Sequence, residues 1–392
     1  MSQRPDTMPC FRFLHASDLH FGSKQYEFPA LAEDYIDCFR HLLKMAHEKH
    51  VDCVILGGDI FSSVDLLPNQ FERILTLLDD FHHLTAHSIP IIAIEGNHDL
   101  KKYSHSTPLL DDQSWIRVFA SFGYIILLRI PSPDEEPIKF QEYSPETHQG
   151  SKIRIKNTII YGTQYLKHVD TLIPQLYQAI PPKAENYHIL LQHFGIKGQM
   201  KNVPGLEYNL IKPLHDRVDY LALGHYHLGF TLDHWVYNPG APEAVSASEH
   251  EFKRGVFFVE VFHSSVGYTH TVQHLSFQNR PYFWFNVFMT HSLHSDEEFF
   301  ALLLQKCHDL RVKSANNIPP LGEKLPVIYL VLTGNPPSTK VTWDERRINK
   351  ILCPVLSCAA IKVYAKFVEK PIVRLDQYFR NSPALQSVNI DE

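Results

Sequence analysis

Apolar residues in the first 130 positions follow two spacings that alternate along the chain. The runs "FRFLHASD", "VDCVILGGD" and "IPIIAIEGNHD" are almost wholly apolar until their last residues, as expected for buried strands. Between them, residues 31–46 and 71–81 carry apolar side chains every three or four positions, which is the spacing of a helix. Apolar strands joined by helices indicate an α/β fold whose sheet is covered on both faces.

The rest of the chain shows a change of pattern near residue 280. Residues 131–150 are rich in Pro and Glu and predict a surface loop, and strand-like segments dominate from residue 153 to 277. The alternation then restarts as strand, helix, strand, helix, strand, without a cluster of candidate catalytic residues. We predict one domain over residues 1–280, a small α/β cap domain over residues 281–370 that guides substrate, and a tail, residues 371–392.

Charge and composition narrow the class of protein. The formal net charge is −6 over 392 residues, which argues against a protein that holds nucleic acid by bulk positive charge. An enzyme that reaches DNA through metal ions and a local basic patch stays compatible with this charge. The sequence has neither an apolar core of signal-peptide length at its start nor a membrane-length apolar run, so we expect a cytoplasmic protein that makes no membrane contact. Its six cysteines form no C-x-x-C pair and predict reduced core residues.

Polar side chains that can bind metals follow five of the predicted strands. Loops at the carboxyl ends of strands in an open α/β sheet converge on one crevice, so these groups can meet there. They are Asp18 and His20, then Asp59, then Asn97, His98 and Asp99, then His193, and finally His225 and His227. Mixed oxygen and imidazole donors suit Mn, Fe or Zn. If seven of these nine side chains bind metal, they are too many for one catalytic ion but fit two ions that share a carboxylate. Two such ions, about 3.5–4 Å apart, clamp the attacking and leaving oxygens of a phosphoryl displacement.

Each of these residues also has an ordinary structural interpretation. Asp18 could cap a helix, Asp59 could serve a turn, and a single His at a strand end such as His193 is more often a core or surface residue. The pair His225 and His227 is harder to dismiss, because alternate residues of a strand face the same side. The coincidence at five strand ends favours a metal site.

The order of these motifs resembles a known family. D-x-H, G-D-x-F, G-N-H-D, a lone His and G-H-x-H, within residues 18–227, resemble the calcineurin-like metallophosphoesterases. Within that superfamily "HASDLHFGS", "GGDIFSS" and "VYNPGAPEAVSASEHEFKRGVFFVEV" resemble the SbcD-type nuclease subunit of the DNA double-strand-break repair complex. The resemblance implies a sandwich of two sheets flanked by helices, followed by the small C-terminal α/β cap domain.

The resemblance also implies a role for each residue of the site. Asp18, His20 and His227 would hold a first ion, Asn97, His193 and His225 a second, and Asp59 would bridge both. His98 would help the leaving oxygen to depart, and Asp99 would orient His98. The implied cofactor is Mn²⁺, two ions per chain, with Mg²⁺, Fe²⁺ or Zn²⁺ as alternatives. Ser62 stands where many relatives have His or Asn, and it would contact the DNA phosphate and affect the balance of exonuclease and endonuclease activity.

The function implied is a DNA nuclease of double-strand-break repair and recombination. It would be an exonuclease with single-strand endonuclease activity, working as a homodimer with an SMC-like coiled-coil ATPase of the SbcC type. Residues 371–392 would be a short docking segment for that partner. Candidate phosphate contacts in the cap are Arg311, Lys313, Arg346, Arg347 and Lys350.

Two other functions compete with this hypothesis. A phosphodiesterase acting on a small substrate would use the same ligands; the separate cap favours the large substrate, and the net charge of −6 weakly favours the small one. A scaffold that has lost its metals is the third alternative. The intact set of seven ligands, together with His98, argues against that scaffold.

Overall fold

A computed structural model describes most of the chain, which divides into two compact units, Met1–Asn279 and Arg280–Glu392. The described residues are 8–23, 28–100, 103–104, 107–108, 114–131, 137–183, 185–289, 293–315 and 324–367. The predicted tail, residues 371–392, therefore lies outside the described part. None of the helices in that part is long and apolar enough to cross a membrane.

The first unit contains fourteen strands and five α-helices among its described residues. The strands are β1 (Phe11–Ala16), β2 (Cys53–Leu56), β3 (Ile91–Ala93), β4 (Tyr103–Ser104), β5 (Thr107–Pro108), β6 (Ile126–Leu127), β7 (Lys152–Ile155), β8 (Thr158–Gly162), β9 (Tyr187–His193), β10 (Tyr220–Gly224), β11 (Phe230–Leu232), β12 (Val236–Asn238), β13 (Gly255–Ser264) and β14 (Gly267–Ser276). The helices are α1 (Pro29–Glu48), α2 (Pro68–Leu84), α3 (Trp115–Ser121), α4 (Val169–Ala179) and α5 (Tyr208–Ile211).

These strands form two six-stranded sheets, with a two-stranded ribbon of β4 and β5 beside them. The first sheet has the order β14-β13-β1-β2-β3-β6, and the second has the order β11-β12-β10-β9-β8-β7. Strands β1, β2, β3 and β6 are parallel, as are β8, β9, β10 and β12. Because the neighbouring strands run in the same direction, their carboxyl ends share one edge of each sheet.

The side chains alternate between two buried layers, as the continuous apolar strands require. Phe13 and Ile55 of the first sheet pack with Ile189 of the second in a core between the sheets. The next residue of β1, Leu14, faces outward and shares a cluster with side chains of α1, α2 and α3. A third cluster joins α4 to the outer face of the second sheet. The predicted sandwich of two sheets flanked by helices is confirmed.

The second unit is a three-stranded parallel sheet with two helices. In chain order its elements are β15 (Tyr282–Met289), α6 (Asp296–Ala315), β16 (Val327–Gly334), α7 (Glu345–Leu356) and β17 (Ala360–Phe367). The sheet order is β15-β16-β17. The Ser295 hydroxyl accepts the Glu298 amide at 3.2 Å at the start of α6, as capping residues do. Likewise, the Asp344 carboxylate accepts the Arg347 amide at 2.7 Å at the start of α7.

Candidate metal centre

The polar residues at the carboxyl ends of β1, β2, β3, β9 and β10 come together where the two sheets meet. The backbone amide of His225 donates to both carboxylate oxygens of Asp18, at 3.2 and 3.1 Å. The Nδ1 atom of His193 lies 2.7 Å from the carbonyl oxygen of Gly57. These contacts join the ends of strands from different sheets. The structure thus brings together residues that are more than 200 positions apart in the chain.

Two groups of side chains in this crevice have the geometry of metal ligands. Asp18, His20 and His227 form one group, and Asp59, His193 and His225 form the other, each with its donor atoms within 4.8 Å of one another. Oδ2 of Asp59 lies 3.3 Å from Nε2 of His193 and 4.0 Å from Nε2 of His20, so this carboxylate stands between the groups.

Asn97 completes the second group. Its Oδ1 atom lies 3.1 Å from Nε2 of His193 and 3.0 Å from Nδ1 of His225. All seven residues that the sequence nominates as ligands are therefore in this crevice.

The backbone at this site is held in conformations that residues other than Gly rarely adopt. Asp18, His20, Asp59 and His225 have φ values of 55°, 49°, 50° and 90°, in the left-handed region. Such conformations carry a cost for residues other than Gly and cluster at functional sites. Four of the seven nominated ligands share this feature, so the loops are shaped to aim these side chains rather than to minimise backbone energy.

Glycines allow the loops to approach each other closely. A Cβ atom on Gly58, where φ is 92°, would lie 2.7 Å from Nδ1 of His193. A Cβ atom on Gly96 would lie 2.2 Å from Oδ1 of Asp59. Both distances are shorter than real contacts, so only Gly fits these positions beside the proposed ligands.

Hydrogen bonds at the rear of three imidazole rings fix which nitrogen faces the crevice. Nδ1 of His227 lies 2.9 Å from Oε1 of Glu249, and Nδ1 of His193 faces the Gly57 carbonyl. A carboxylate and a carbonyl only accept, so Nδ1 carries the hydrogen in each ring. Nδ1 of His20 lies 3.2 Å from the hydroxyl of Ser62, whose own hydrogen points to the His20 carbonyl at 3.1 Å. In neutral rings the Nε2 lone pairs then point into the crevice.

This set of atoms suits cations. Nε2 of His20 and Nε2 of His227 are only 3.0 Å apart, and in the tautomers just described neither carries a hydrogen. Two lone pairs at that distance repel unless a positive charge lies beside them. Imidazole nitrogens, carboxylates and an amide oxygen, without a thiolate, are ligands for Mn, Fe or Zn. The arrangement of imidazole ring, outer hydrogen-bond partner and inner lone pair is typical of metal-binding histidines.

The carboxylates give the crevice a strongly negative field. Burial lowers the pKa of His193, but the Asp59 carboxylate outweighs it and raises that pKa to about 9. Burial, followed by the charge of Asp59, raises the pKa of Asp99 to about 8. Burial instead lowers the pKa of His225 to about 4 and keeps that ring neutral, as a metal-binding imidazole must be.

His98 lies beside the ligands without joining either group. Its backbone amide donates to Oδ1 of Asp59 at 2.7 Å, and its Nδ1 atom lies 3.1 Å from the carbonyl oxygen of Ser62. The ring meets the His20 ring edge-on with 4.9 Å between centroids. His98 is therefore held by Ser62 at one ring nitrogen, and Nε2 is the nitrogen left for a substrate.

The Asp99 carboxylate contacts the backbone of two loops. Its carboxylate accepts the backbone amides of Gly96 at 2.9 Å, Ile60 at 3.2 Å and Phe61 at 2.9 Å. These bonds tie the loop after β2 to the loop after β3. These bonds hold the backbone on either side of His98, while the His98 ring itself contacts the Ser62 carbonyl. The role of Asp99 in orienting His98 stays a prediction.

Glu249 and Glu95 are two residues of the site that the motifs do not reveal. Glu249 is buried, accepts from His227, and also accepts the Val245 amide at 2.8 Å. Its only sequence signal is the pattern Ser-x-x-Glu from Ser246, which resembles a capping pattern and gives no hint of a ring 22 positions earlier.

Glu95 stands next to Gly96 and is fully buried. The Arg117 side chain pairs with it through Nε at 2.6 Å and Nη2 at 3.1 Å. A charged residue at the end of an apolar strand, "IIAIE", is a signal that could have identified it. This ion pair fixes the start of the loop that carries Asn97 and His98.

An α/β sandwich that gathers Asp, Asn and His at the carboxyl ends of its strands is typical of metal-dependent hydrolases. The chain belongs to the calcineurin-like phosphoesterase family, whose model matches residues 11–229. Members of this family bind two metal ions, which agrees with the two groups of ligands. The matched range includes all seven nominated ligands, whereas Glu249 lies beyond it.

Curated relatives are repair proteins of modest similarity. The DNA double-strand break repair protein Mre11 of Sulfurisphaera tokodaii is 29% identical over 55% of this chain and 49% of its own length. The protein of that name from Saccharolobus solfataricus is 26% identical over 64% of this chain and 60% of its own. The protein of that name from Archaeoglobus fulgidus is 26% identical over 55% of this chain and 46% of its own length. The chain thus spans about half the length of these relatives.

One solved structure, a dimetal phosphatase from Danio rerio, is similar over 64% of this chain and 93% of its own. The sequence identity is 12% and the TM-score is 0.36, values too low to extend the family assignment.

Proposed function

We propose that this protein is a two-metal DNA nuclease of double-strand-break repair that hydrolyses phosphodiester bonds. The observation that carries the proposal is the pair of ligand groups that share Asp59, with His98 held beside them. The names of the similar repair proteins support DNA as the substrate. The activity we propose is that of an exonuclease with single-strand endonuclease activity.

The proposed cofactor is Mn²⁺, with two ions per chain. Asp18, His20 and His227 would hold the first, and Asn97, His193 and His225 would hold the second, with Asp59 between them. Two bound ions would lower the pKa of an attacking water and neutralise charge on the phosphate oxygens.

His98 has the position of a proton donor in this reaction. The Ser62 carbonyl accepts from Nδ1 of His98, so a protonated ring presents its second hydrogen at Nε2. That hydrogen would pass to the oxygen that leaves the phosphorus, and the ring would become neutral. The Asp59 carboxylate, which accepts the His98 amide, keeps the ring next to the ligand groups.

Ser62 contacts two other residues of the site. Its hydroxyl lies between Nδ1 and the carbonyl of His20, and its carbonyl faces His98. The hydroxyl thus contacts a proposed ligand, and its contact with a DNA phosphate stays a prediction. We propose that Ser62 also acts on the substrate indirectly, by positioning His20 and His98 together.

The second unit is proposed as a cap that guides DNA, but two of its basic residues have structural contacts. The guanidinium of Arg311 lies 4.6 Å from the centroid of the Phe283 ring. Arg347 pairs with Asp296 and donates to the Thr342 carbonyl. Arg346 and Lys350 are exposed and stay candidates for phosphate contacts, and the Lys313 side chain lies outside the described part.

Assembly is also a proposal. A homodimer through α2 and α3 would use the exposed apolar side chains Leu67, Leu84 and Phe122. Phe71 of α2 and Trp115 of α3 pack against each other with ring centroids 5.4 Å apart, so they are less available for such a contact. Leu109 and Leu110 lie outside the described residues. An SMC-like coiled-coil ATPase, docking on residues 371–392, is the proposed partner.

An assay on two substrates tests the nuclease and separates it from a small-substrate phosphodiesterase. The purified chain is incubated with end-labelled duplex and hairpin DNA, with and without Mn²⁺, and in parallel with bis-p-nitrophenyl phosphate. We expect Mn²⁺-dependent cleavage of DNA, which is lost in Asp59→Asn and kept in Asp216→Asn, an exposed acid outside the site. Hydrolysis of the small diester without cleavage of either DNA would contradict the nuclease and favour the phosphodiesterase.

A further inference from the structure

The sheet of the second unit has one face that its helices cover and one that they do not. Phe285 and Val287 point toward α6 and α7 and belong to the apolar core of the unit. Because side chains alternate along a strand, Trp284 and Phe288 point to the opposite side. Trp284 is 37% exposed and Phe288 is 63% exposed. Two large aromatic side chains on this side of β15 are therefore partly accessible to solvent.

The rings on this opposite face form a connected cluster. The rings of Trp284 and Tyr364 are stacked, with 6.0 Å between centroids and 16° between ring planes, although the two residues lie on the two outer strands. The Tyr282 and Tyr329 rings are stacked, with 5.8 Å between centroids and 5° between planes. The centroid of the Trp284 ring lies 5.6 Å from that of Tyr329. We call these four residues, together with Phe288, the aromatic face. Tyr329 on the central strand is fully buried beneath the others, so the outer rings form the accessible layer.

Two lysines lie on the same side of the sheet as the aromatic face. The residues that share this side by strand register are Tyr282, Trp284, Asn286, Phe288, Val327, Tyr329, Val331, Thr333, Ala360, Lys362, Tyr364 and Lys366. They include two lysines and no acid, in a chain with a net charge of −6. Lys366 is exposed. Lys362 forms an ion pair with Glu345, with 3.1 Å between Nζ of Lys362 and Oε2 of Glu345.

We propose that the aromatic face binds single-stranded DNA by stacking bases on Trp284 and Phe288, with Lys366 contacting a phosphate. Flat rings interleaved with lysines are the features by which proteins hold single strands, because every base has a π-face and every nucleotide a negative charge. A duplex keeps its bases stacked inside and offers no free face to these rings. Trp284 and Phe288 are four residues apart on β15, about 13 Å, which leaves room for separate bases.

This inference goes beyond the proposed nuclease, on which it rests only for its biological setting. The aromatic face contains none of the proposed metal ligands. Binding to it is therefore measurable with the metals chelated, when no hydrolysis occurs. A failure of binding and a failure of hydrolysis are then separate results.

The test is fluorescence anisotropy of the full chain with a labelled oligothymidylate in EDTA. We expect Trp284→Leu and Phe288→Leu each to weaken binding roughly 10-fold, because each removes one stacked base while keeping an apolar side chain. The control is Val266→Ala, which shortens an exposed apolar side chain in the turn between β13 and β14 of the first unit and should leave the affinity unchanged. Lys366→Ala should reduce the salt dependence of binding.

Several results would overturn the proposal. Wild-type affinity in both Leu variants, or equal losses for the single strand and for a duplex of the same sequence, would exclude base stacking here. A change of mass in light scattering without a change in DNA affinity would identify the face as a contact between copies of the chain. If circular dichroism shows that Trp284→Leu does not fold, Lys366→Glu provides the test, because Lys366 is exposed. Unchanged affinity of Lys366→Glu for the single strand would contradict the proposal.

Discussion

The two units use the same kind of parallel strand and differ in the residues just beyond its carboxyl end. In the first unit the loops after β1, β2, β3 and β10 carry Asp, Asn or His, β9 ends in His193, and these side chains meet. In the second unit β15 ends at Met289 and β16 at Gly334, and no group of metal-binding side chains appears among its described residues. An apolar strand supplies a rigid support, while the loop attached to it decides whether the edge of a sheet is a reactive site.

The largest expected effect comes from breaking the group that both ligand clusters share. Asp59→Asn keeps the size of the side chain but removes the charge between His193 and His20. We expect hydrolysis of DNA to fall by roughly 10⁴-fold or more, since an ion supplies several kcal/mol of charge stabilisation. Calorimetry should show fewer than two Mn²⁺ ions per chain. Two ions bound with unchanged affinity would mean that Asp59 is not the bridge.

Removing the proposed proton donor should separate catalysis from metal binding. In His98→Ala we expect a loss of roughly 10²–10⁴-fold in the rate of hydrolysis, the usual contribution of general acid catalysis. Both ions should still bind, because His98 belongs to neither ligand group. His83→Ala, on the exposed surface of α2, is the matched control and should behave as the wild type. A variant of His98 that no longer binds metal would show that this residue is a ligand.

Glu249 tests the support behind the ligands. Loss of an outer partner of a metal-binding His typically weakens metal affinity 10–100-fold, and we expect this for Glu249→Ala. Glu249→Gln should recover much of the affinity, because its amide oxygen still accepts from Nδ1 of His227. Titration with Mn²⁺ by calorimetry measures both variants. Equal losses in the two would point to a defect in folding of the loop and not to the contact with His227.

The smallest expected effect is that of Ser62→Ala. The substitution removes the hydroxyl at Nδ1 of His20 and keeps the carbonyl that faces His98. One hydrogen bond contributes about 1 kcal/mol, so we expect a loss of roughly 5-fold in metal affinity and a similar rate once metal saturates the site. Rates measured at rising Mn²⁺ concentration distinguish these two effects. A large loss at saturating metal would mean that the hydroxyl contacts the substrate after all.

The apolar runs predicted the α/β fold and the meeting of the polar side chains, because they mark strand ends clearly, whereas the sandwich of two sheets came from the resemblance of the motifs to a known family. The sequence did not predict α4, whose apolar positions are interrupted by Pro174, a residue that disfavours helix interiors. Nor does the strand pattern reveal the three-residue strands β11 and β12. Short elements carry too few positions for a spacing to stand out.

The spacing of residues along the sequence did not predict the contacts between distant loops. The backbone amides that donate to Asp99 and the partner of His227 depend on how loops fold back over one another. Glu249 follows His227 by 22 positions and reaches it through a turn of 3₁₀ helix, Ala247–Glu249. No local pattern encodes such a distance, so the residues that support the ligands emerge only from the folded chain.

The most direct test of the two-metal centre is anomalous diffraction from crystals of the chain grown with Mn²⁺. Two peaks are expected in the crevice, one among Asp18, His20 and His227 and one among Asn97, His193 and His225, with Asp59 touching both. A single peak, or peaks away from these residues, would contradict the mechanism.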